Sequence, residues 1–197
     1  MKHKHGKGIV ITVAGPHGSG RSTQAQRLAE TFGLRYVSTG SLFRARAAEL
    51  KISLEDMTRL AAKDPEFDKY LDSRSKEECR KGNVVLDATL SGWMAEDPDI
   101  KIYLTAPLTA RVRRISEREG RDYGEVEHET RVREDIEWER FKRYYDIDID
   151  DLSVYDLVIN TELFDVDETA DILKNIVESY IGKKVIVCRL SKLVESV

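Results

Sequence analysis

Cysteine is nearly absent. Cys79 and Cys188 are the only two in 197 residues. Two thiols cannot build a disulfide framework, and they lack metal-ligand spacing, so a reducing cytosol is the expected setting. Long apolar runs are missing too, so no membrane is expected as a partner. The first residues, Met1-Lys2-His3-Lys4-His5-Gly6-Lys7, are basic but lead into a strand rather than a cleavable apolar segment, and no signal peptide is expected. Nor is there an excess of positive charge. The 32 Lys and Arg against 36 Asp and Glu leave a net charge of −4, which argues against nucleic acid held by bulk electrostatics. Repeats and low-complexity linkers are absent as well, and 197 residues suit one domain with a substantial core.

What is present begins with Gly15-Pro16-His17-Gly18-Ser19-Gly20-Arg21-Ser22-Thr23. This run fits the phosphate-loop pattern G-x-x-x-x-G-K-[ST] everywhere except Arg21, which stands in place of the lysine. Residues 8–14 are rich in β-branched side chains and read as a buried strand; residues 24–32 read as a helix stopped by Gly33. Glycines let backbone N–H groups converge on a phosphate, and the helix N-terminus adds partial positive charge. All nine residues, Gly15 to Thr23, are candidates for binding a nucleoside triphosphate, with the Ser22 hydroxyl as the candidate ligand for Mg²⁺. Arginine is longer, planar and forked, so its exchange for lysine is not conservative; it either holds phosphate bidentately or binds ATP while slowing chemistry.

Strands and helices alternate along the rest of the chain, which predicts an α/β fold with a parallel sheet covered by helices. Further strands are expected at 34–38, 83–87, 100–105 and 156–161. Helices are expected at 41–50, from the capping box at Ser53, from Asp64-Pro65 to Lys81-Gly82, from Pro107 to Glu119, over about 124–145, and from the cap at Asp165 to about Ile181-Gly182. Residues 183–197 include the apolar run Val185-Ile186-Val187-Cys188 and read as an added edge strand, the alternatives being a contact with another subunit or a loose tail.

Ligands of such sheets sit at the carboxyl ends of the strands. Two segments fall there: Ser38-Thr39-Gly40-Ser41-Leu42-Phe43-Arg44 and Asp87-Ala88-Thr89-Leu90-Ser91-Gly92-Trp93. Arg44 is a candidate fork for an acceptor phosphate. Asp87 either holds Mg²⁺ through water, contacts the acceptor, or caps the next turn. Trp93 either stacks on a base or is packed. Arg133, Glu137 and Arg140 are spaced i, i+4, i+7 and share a helix face; Arg114 and Arg118 form a similar pair. These arginines suit a flap that neutralises a transferring phosphoryl group, the alternative being an exposed, salt-bridged helix.

Taken together, these residues resemble the archaeal type of cytidylate kinase, a branch of the nucleoside monophosphate kinases. The resemblance spans about residues 9–181. It rests on the loop, on Val37-Ser38-Thr39-Gly40 with Phe43-Arg44, on Val84-Val85-Leu86-Asp87 with Leu90-Ser91-Gly92-Trp93-Met94, and on the long run 147–161. It implies a three-layer α/β/α P-loop domain over 1–182 with five parallel strands, a helical acceptor region at about 38–82 and a helical lid at about 118–145. It implies transfer of the γ-phosphoryl of ATP to CMP or dCMP with Mg²⁺. A cytoplasmic monomer is expected. By that resemblance Ser38, Arg44, Arg133, Glu137 and Arg140 hold the acceptor and the phosphates. Gly40 and Asp87 are further candidates at the acceptor, Arg114 and Arg118 are candidates to join the loop at ATP, and Arg21, Arg133 and Arg140 are candidates to serve the transfer. Thr89 stands where relatives usually carry an arginine. The rivals are a kinase of the same architecture acting on another acceptor, and a nucleotide-binding protein without catalysis.

Overall fold

The structure, a computed structural model, describes residues 8–194, with side chains through residue 183. Five parallel strands, β1 (Val10–Ala14), β2 (Arg35–Ser38), β3 (Val84–Asp87), β4 (Ile100–Thr105) and β5 (Leu157–Asn160), form one sheet in the order β2-β3-β1-β4-β5. Central β1 is buried along its whole length, which is why it reads as an unbroken apolar run. Helix α1 (Arg21–Phe32) and the start of α8 (Val166–Val194) cover one face: Ala25, Leu28, Leu173 and Val177 pack on Ile11, Val13, Ile102 and Leu104. On the other face Cys79 of α4 (Pro65–Lys81) packs on Val10, Val84 and Leu86.

From β1 the chain first builds toward β2 and then, after β3, crosses to β4 and β5. This reversal puts a crevice at the carboxyl end of β1. Two helical segments overhang it. One is α2 (Thr39–Leu50), α3 (Leu54–Ala61) and α4, with a small core of Phe43, Ala47, Met57 and Ala61. The other is α6 (Leu108–Glu119) and the long α7 (Tyr123–Tyr145). Caps fix where these helices start. Ser53 accepts from the Asp56 N–H, Asp64 from the Glu66 N–H ahead of Pro65, and Asp122 from the Glu125 N–H.

The structure corrects several boundaries. The helix expected from residue 41 starts at Thr39, because Ser38 rather than a later residue is its cap. A short helix α5 (Ser91–Met94) and a 3-10 turn (Leu152–Val154) have no sequence counterpart. The strand expected within 183–197 is helical instead: α8 runs through Gly182 to Val194. One internal glycine costs a helix only about 1 kcal/mol, and a run of four apolar residues does not distinguish strand from helix. Among the described residues no helix is long and apolar enough to cross a membrane.

Candidate active site

Where β1 ends, the chain turns at Gly15 with φ 144°. A Cβ there would lie 2.0 Å from the Leu104 carbonyl oxygen, so only glycine brings the loop this close to β4. The loop ends at Gly20, the N-cap of α1, with φ 84° and no side-chain cap. The first N–H groups of α1 therefore lack a side-chain partner where the helix dipole is positive, as phosphate binding requires.

Behind the loop stand two arginines. Arg111, 7% exposed, donates to the carbonyl oxygens of Ala106 (3.1 Å) and His17 (2.9 Å) and forks onto Glu134 (2.5 and 3.1 Å). Arg114 donates to the Gly18 carbonyl (3.4 Å), the Thr161 hydroxyl and the Thr161 carbonyl (both 2.9 Å). Arg114, expected at the ATP phosphates, instead props the loop from behind, because Thr161 and the Gly18 carbonyl take up its fork. Arg118 is exposed, pairs with Glu119 and lines the cavity above the loop. Arg111 had no sequence signal of its own; it lies one turn before Arg114 on a helix full of arginines.

Two cavities adjoin at the loop. One opens over Pro16 to Thr23 and reaches Arg118 and Arg121. The other lies between α2, α4, α7 and the end of β3, with Gly40, Arg44, Thr89, Glu137 and Arg140 in its wall. His17, Arg21, Arg44 and Arg133 line both and form the seam between them. Arg133, Glu137 and Arg140 thus share one face, as their spacing predicts, and that face looks into the cavity rather than into solvent.

The second cavity is strongly charged. Burial alone would push the Glu137 carboxyl up, but His17, Arg133 and Arg140 around it override that and hold it at about 2. His17 Nε2 and Glu137 Oε2 are 3.1 Å apart. Burial pushes Asp68 up to about 6, only partly offset by Arg140, whose Nε is 3.2 Å from Asp68 Oδ2. Asp72, also raised by burial, accepts a hydrogen bond from the Tyr145 hydroxyl. Nothing in the sequence pattern separated Asp68, Asp72 and Tyr145 from ordinary helix-surface residues. Buried Arg140 Nη1 and Arg133 Nε have no hydrogen-bond partner among the described residues, which leaves donor capacity for an anionic ligand.

Asp87 is fully buried and accepts from Arg21 Nε (2.5 Å), Ser22 Oγ (2.7 Å) and the Tyr36 hydroxyl (2.8 Å). Burial opposes its charge, yet Arg21 and these hydrogen bonds hold its carboxyl below the ordinary range. Its oxygens are therefore spent on the protein, and Asp87, expected to touch an acceptor, is not in the wall of the second cavity. Ser38, also expected there, is buried as the cap of α2, its hydroxyl accepting from the Ser41 N–H. Trp93 is packed with Leu90, Phe141 and Ile147, which decides between its two readings.

A divalent cation fits this donor set in one way. Among the described residues no group of three or more His, Cys, Asp or Glu is placed to hold a metal. A cation taken mainly by phosphate oxygens and water needs only one or two protein oxygens. Ser22 gives its hydroxyl proton to Asp87, so its lone pairs stay available at the loop's edge.

Residues 10–163 match the cytidylate kinase-like family. A protein named cytidylate kinase from Staphylothermus marinus is 48% identical over 174 residues, covering 88% of this chain and 98% of the relative. Another, from Ignicoccus hospitalis, is 44% identical over 166 residues, covering 84% and 96%. Among solved structures, an uncharacterised protein from Eubacterium ventriosum superposes with a TM-score of 0.64 at 18% identity, covering 87% of this chain and 99% of that one. A shikimate kinase from Bacteroides thetaiotaomicron superposes with a TM-score of 0.53 at 13% identity, covering 86% and 98%. At these identities the structural likeness extends to the fold alone.

Proposed function

The chain belongs to the cytidylate kinase-like family, which makes it a kinase, and we propose that it moves the γ-phosphoryl group of ATP to the phosphate of CMP or dCMP. The observation that carries this reading is the seam. Two cavities meet at His17, Arg21, Arg44 and Arg133, so a phosphoryl group passing from one ligand to the other crosses a ring holding three arginines. The loop amides cradle the ATP phosphates, and the acceptor lies across the seam with its phosphate toward Arg44. An acceptor phosphate oxygen attacks the γ-phosphorus and ADP leaves with the electrons of the broken P–O bond. The acceptor phosphate is already anionic and needs no general base. Charge spread over the transferring oxygens is then met by fixed arginines rather than by water that must reorganise.

Ser22, with Asp87 behind it, would hold Mg²⁺, whose positive charge would offset that of the phosphate oxygens. The regions 38–82 and 118–145 act as acceptor clamp and lid, and closing them shields ATP from hydrolysis. The small, charged cavities suit small nucleotides as the ligands, and a cytoplasmic monomer is part of the same reading. The test is ADP formation from ATP and Mg²⁺ with CMP, dCMP, UMP and AMP supplied separately. Turnover confined to CMP or dCMP is expected. Equal turnover with UMP or AMP would reassign the acceptor, and no turnover despite ATP binding would refute the reading.

A further inference from the structure

Arg21 occupies the position where a phosphate loop carries its lysine, yet its side chain does not lie along the loop. It turns toward β3. Nε donates to Asp87 Oδ1 at 2.5 Å, and Nη1 donates to the Gly15 carbonyl at 2.7 Å and to Thr89 Oγ1 at 3.1 Å. Asp87 is fully buried and the Arg21 side chain is one-tenth exposed, so this is a buried charge pair with a fixed geometry. Three acceptors at the ends of β1 and β3 pin one nitrogen edge of the fork. A flexible lysine with a single ammonium could not hold them all and still present a donor elsewhere.

The remaining nitrogen, Nη2, has no hydrogen-bond partner among the described residues. It faces Gly40: the point where a Gly40 side chain would begin is 3.7 Å from Arg21 Nη2 and 3.3 Å from Arg44 Nη1. Two guanidinium groups thus converge on one spot in the acceptor cavity, kept clear by a glycine on the first turn of α2. Like charges so close are unfavourable unless an anion joins them. Gly40 has ordinary helical backbone, so what glycine supplies there is space.

We propose that Arg21 is an acceptor-phosphate ligand rather than a clamp on the donor phosphates, and that Thr89 is its matched partner. This deepens the proposed function and rests on it. Arg21 Nη2 and Arg44 Nη1 hold the acceptor's phosphate over Gly40, while Thr89 Oγ1 and Asp87 orient the Arg21 fork. An arginine at 89 would collide with Nη1 and place a second cation against it. The arginine in the loop and the threonine after β3 are therefore one coupled feature: the cation reaches the acceptor from the loop, and the residue after β3 is small to admit it.

The test is a double-mutant cycle of Arg21→Lys and Thr89→Arg, with KM measured separately for CMP and ATP and with CMP and ATP binding to each variant followed by calorimetry. Arg21→Lys is expected to raise KM for CMP about tenfold or more and KM for ATP less than about threefold. Thr89→Arg alone is expected to lower kcat/KM for CMP at least about tenfold, and the double variant to recover well above the product of the single losses. Gly40→Ala leaves the Asp87 pair intact and should weaken CMP binding while sparing ATP, which covers the case in which Arg21→Lys misfolds. A rise in KM for ATP with KM for CMP unchanged would make Arg21 a donor clamp, and single losses that simply multiply would break the coupling; either overturns the inference. Wild-type protein that neither binds nor phosphorylates CMP would sink the proposed function itself. Wild-type turnover with an unmoved CMP affinity in Arg21→Lys and Gly40→Ala would sink this inference alone.

Discussion

Replacing Arg111 by methionine should loosen the loop more than any exposed charge change on α6 or α7. The methionine keeps the apolar stem but removes the guanidinium that joins the Ala106 and His17 carbonyls to Glu134. Breaking a buried pair by removing one partner costs about 3–5 kcal/mol. Here the stranded Glu134 side chain is 26% exposed and recovers part of its hydration, which places the cost near the lower end, about 3 kcal/mol. For a chain of this size each kcal/mol lowers Tm by about 2–4 °C, so a fall of about 6–12 °C is expected. Urea unfolding should show the same loss as a lower midpoint with an unchanged slope, since the unfolded chain exposes the same surface. Glu134 also accepts from the His17 N–H at 3.2 Å, so the loop shifts as well, and kcat should fall with KM for ATP rising. A Tm within about 2 °C of the wild type would refute the argument, because it would mean that the three acceptors find other donors at no cost.

Protonation of two buried carboxylates should pull stability in opposite directions. Glu137 is held at about 2 against an ordinary 4.5, so it stabilises the fold above pH 4.5 and that contribution, about 3 kcal/mol, is lost as the pH falls toward 2. Asp68 is raised from 3.8 to about 6, so the folded state binds its proton more tightly; its unfavourable contribution grows as the pH rises from 3.8 to 6 and is constant above. The difference in urea midpoint between wild type and Asp68→Asn should therefore change across that window and stay flat from pH 6.5 to 8; a difference flat throughout would refute it. Gly15→Ala should fail to fold stably, since its Cβ would meet the Leu104 carbonyl oxygen at 2.0 Å with φ at 144°; a normal thermal melt would show the loop can move off β4. Arg44→Gln should raise KM for CMP about tenfold while moving Tm by less than about 1 °C, because Arg44 is exposed and forms no ion pair among the described residues; an unchanged KM would remove it from the acceptor site.

How much of this was legible in the sequence differed from element to element. All five strands were: four are short β-branched runs between turn signals, and β2, with Val37 as its one β-branched residue, follows the Gly33 helix stop. The caps at Ser53 and Asp64 were too, because the hydroxyl and carboxylate that accept the first N–H groups are local in sequence. The face shared by Arg133, Glu137 and Arg140 followed from helical spacing. What could not be read was where a long side chain turns once the chain has folded. Arg21 and Asp87 are 66 positions apart, and Arg111 reaches Glu134 across 23, so neither pair has a local pattern. The spacing that marked Arg114 as basic was as visible as that of Arg133. Yet Thr161, brought in by β5, takes up its fork and keeps it out of the walls of both cavities. The α8 extension was misread for a different reason: Gly182 looks like a stop but lacks the following break that would make it one.

Helix α7 joins the two halves of the site through two carboxylates one turn apart on the same side of the helix. Glu134 grips the loop, accepting from the His17 N–H and from Arg111, while Glu137, one turn later, meets the His17 side chain across the seam. A lid that swings away must break both contacts together. The backbone of His17 is tied by Arg111 to the start of α6, so that end of the loop stays fixed. Displacement therefore falls on the imidazole and on α7, the element that carries Arg133 and Arg140 into the wall of the second cavity. Opening the acceptor cavity thus removes the seam's Arg133 from the donor side as well. Two ligands that both draw α7 inward should then bind with positive cooperativity. A coupling between ATP and CMP binding that disappears in Glu134→Gln, and persists when an exposed pair such as Arg131 and Glu127 is removed, would locate that link in the loop-to-lid contact. Equal coupling in all three proteins would place it elsewhere.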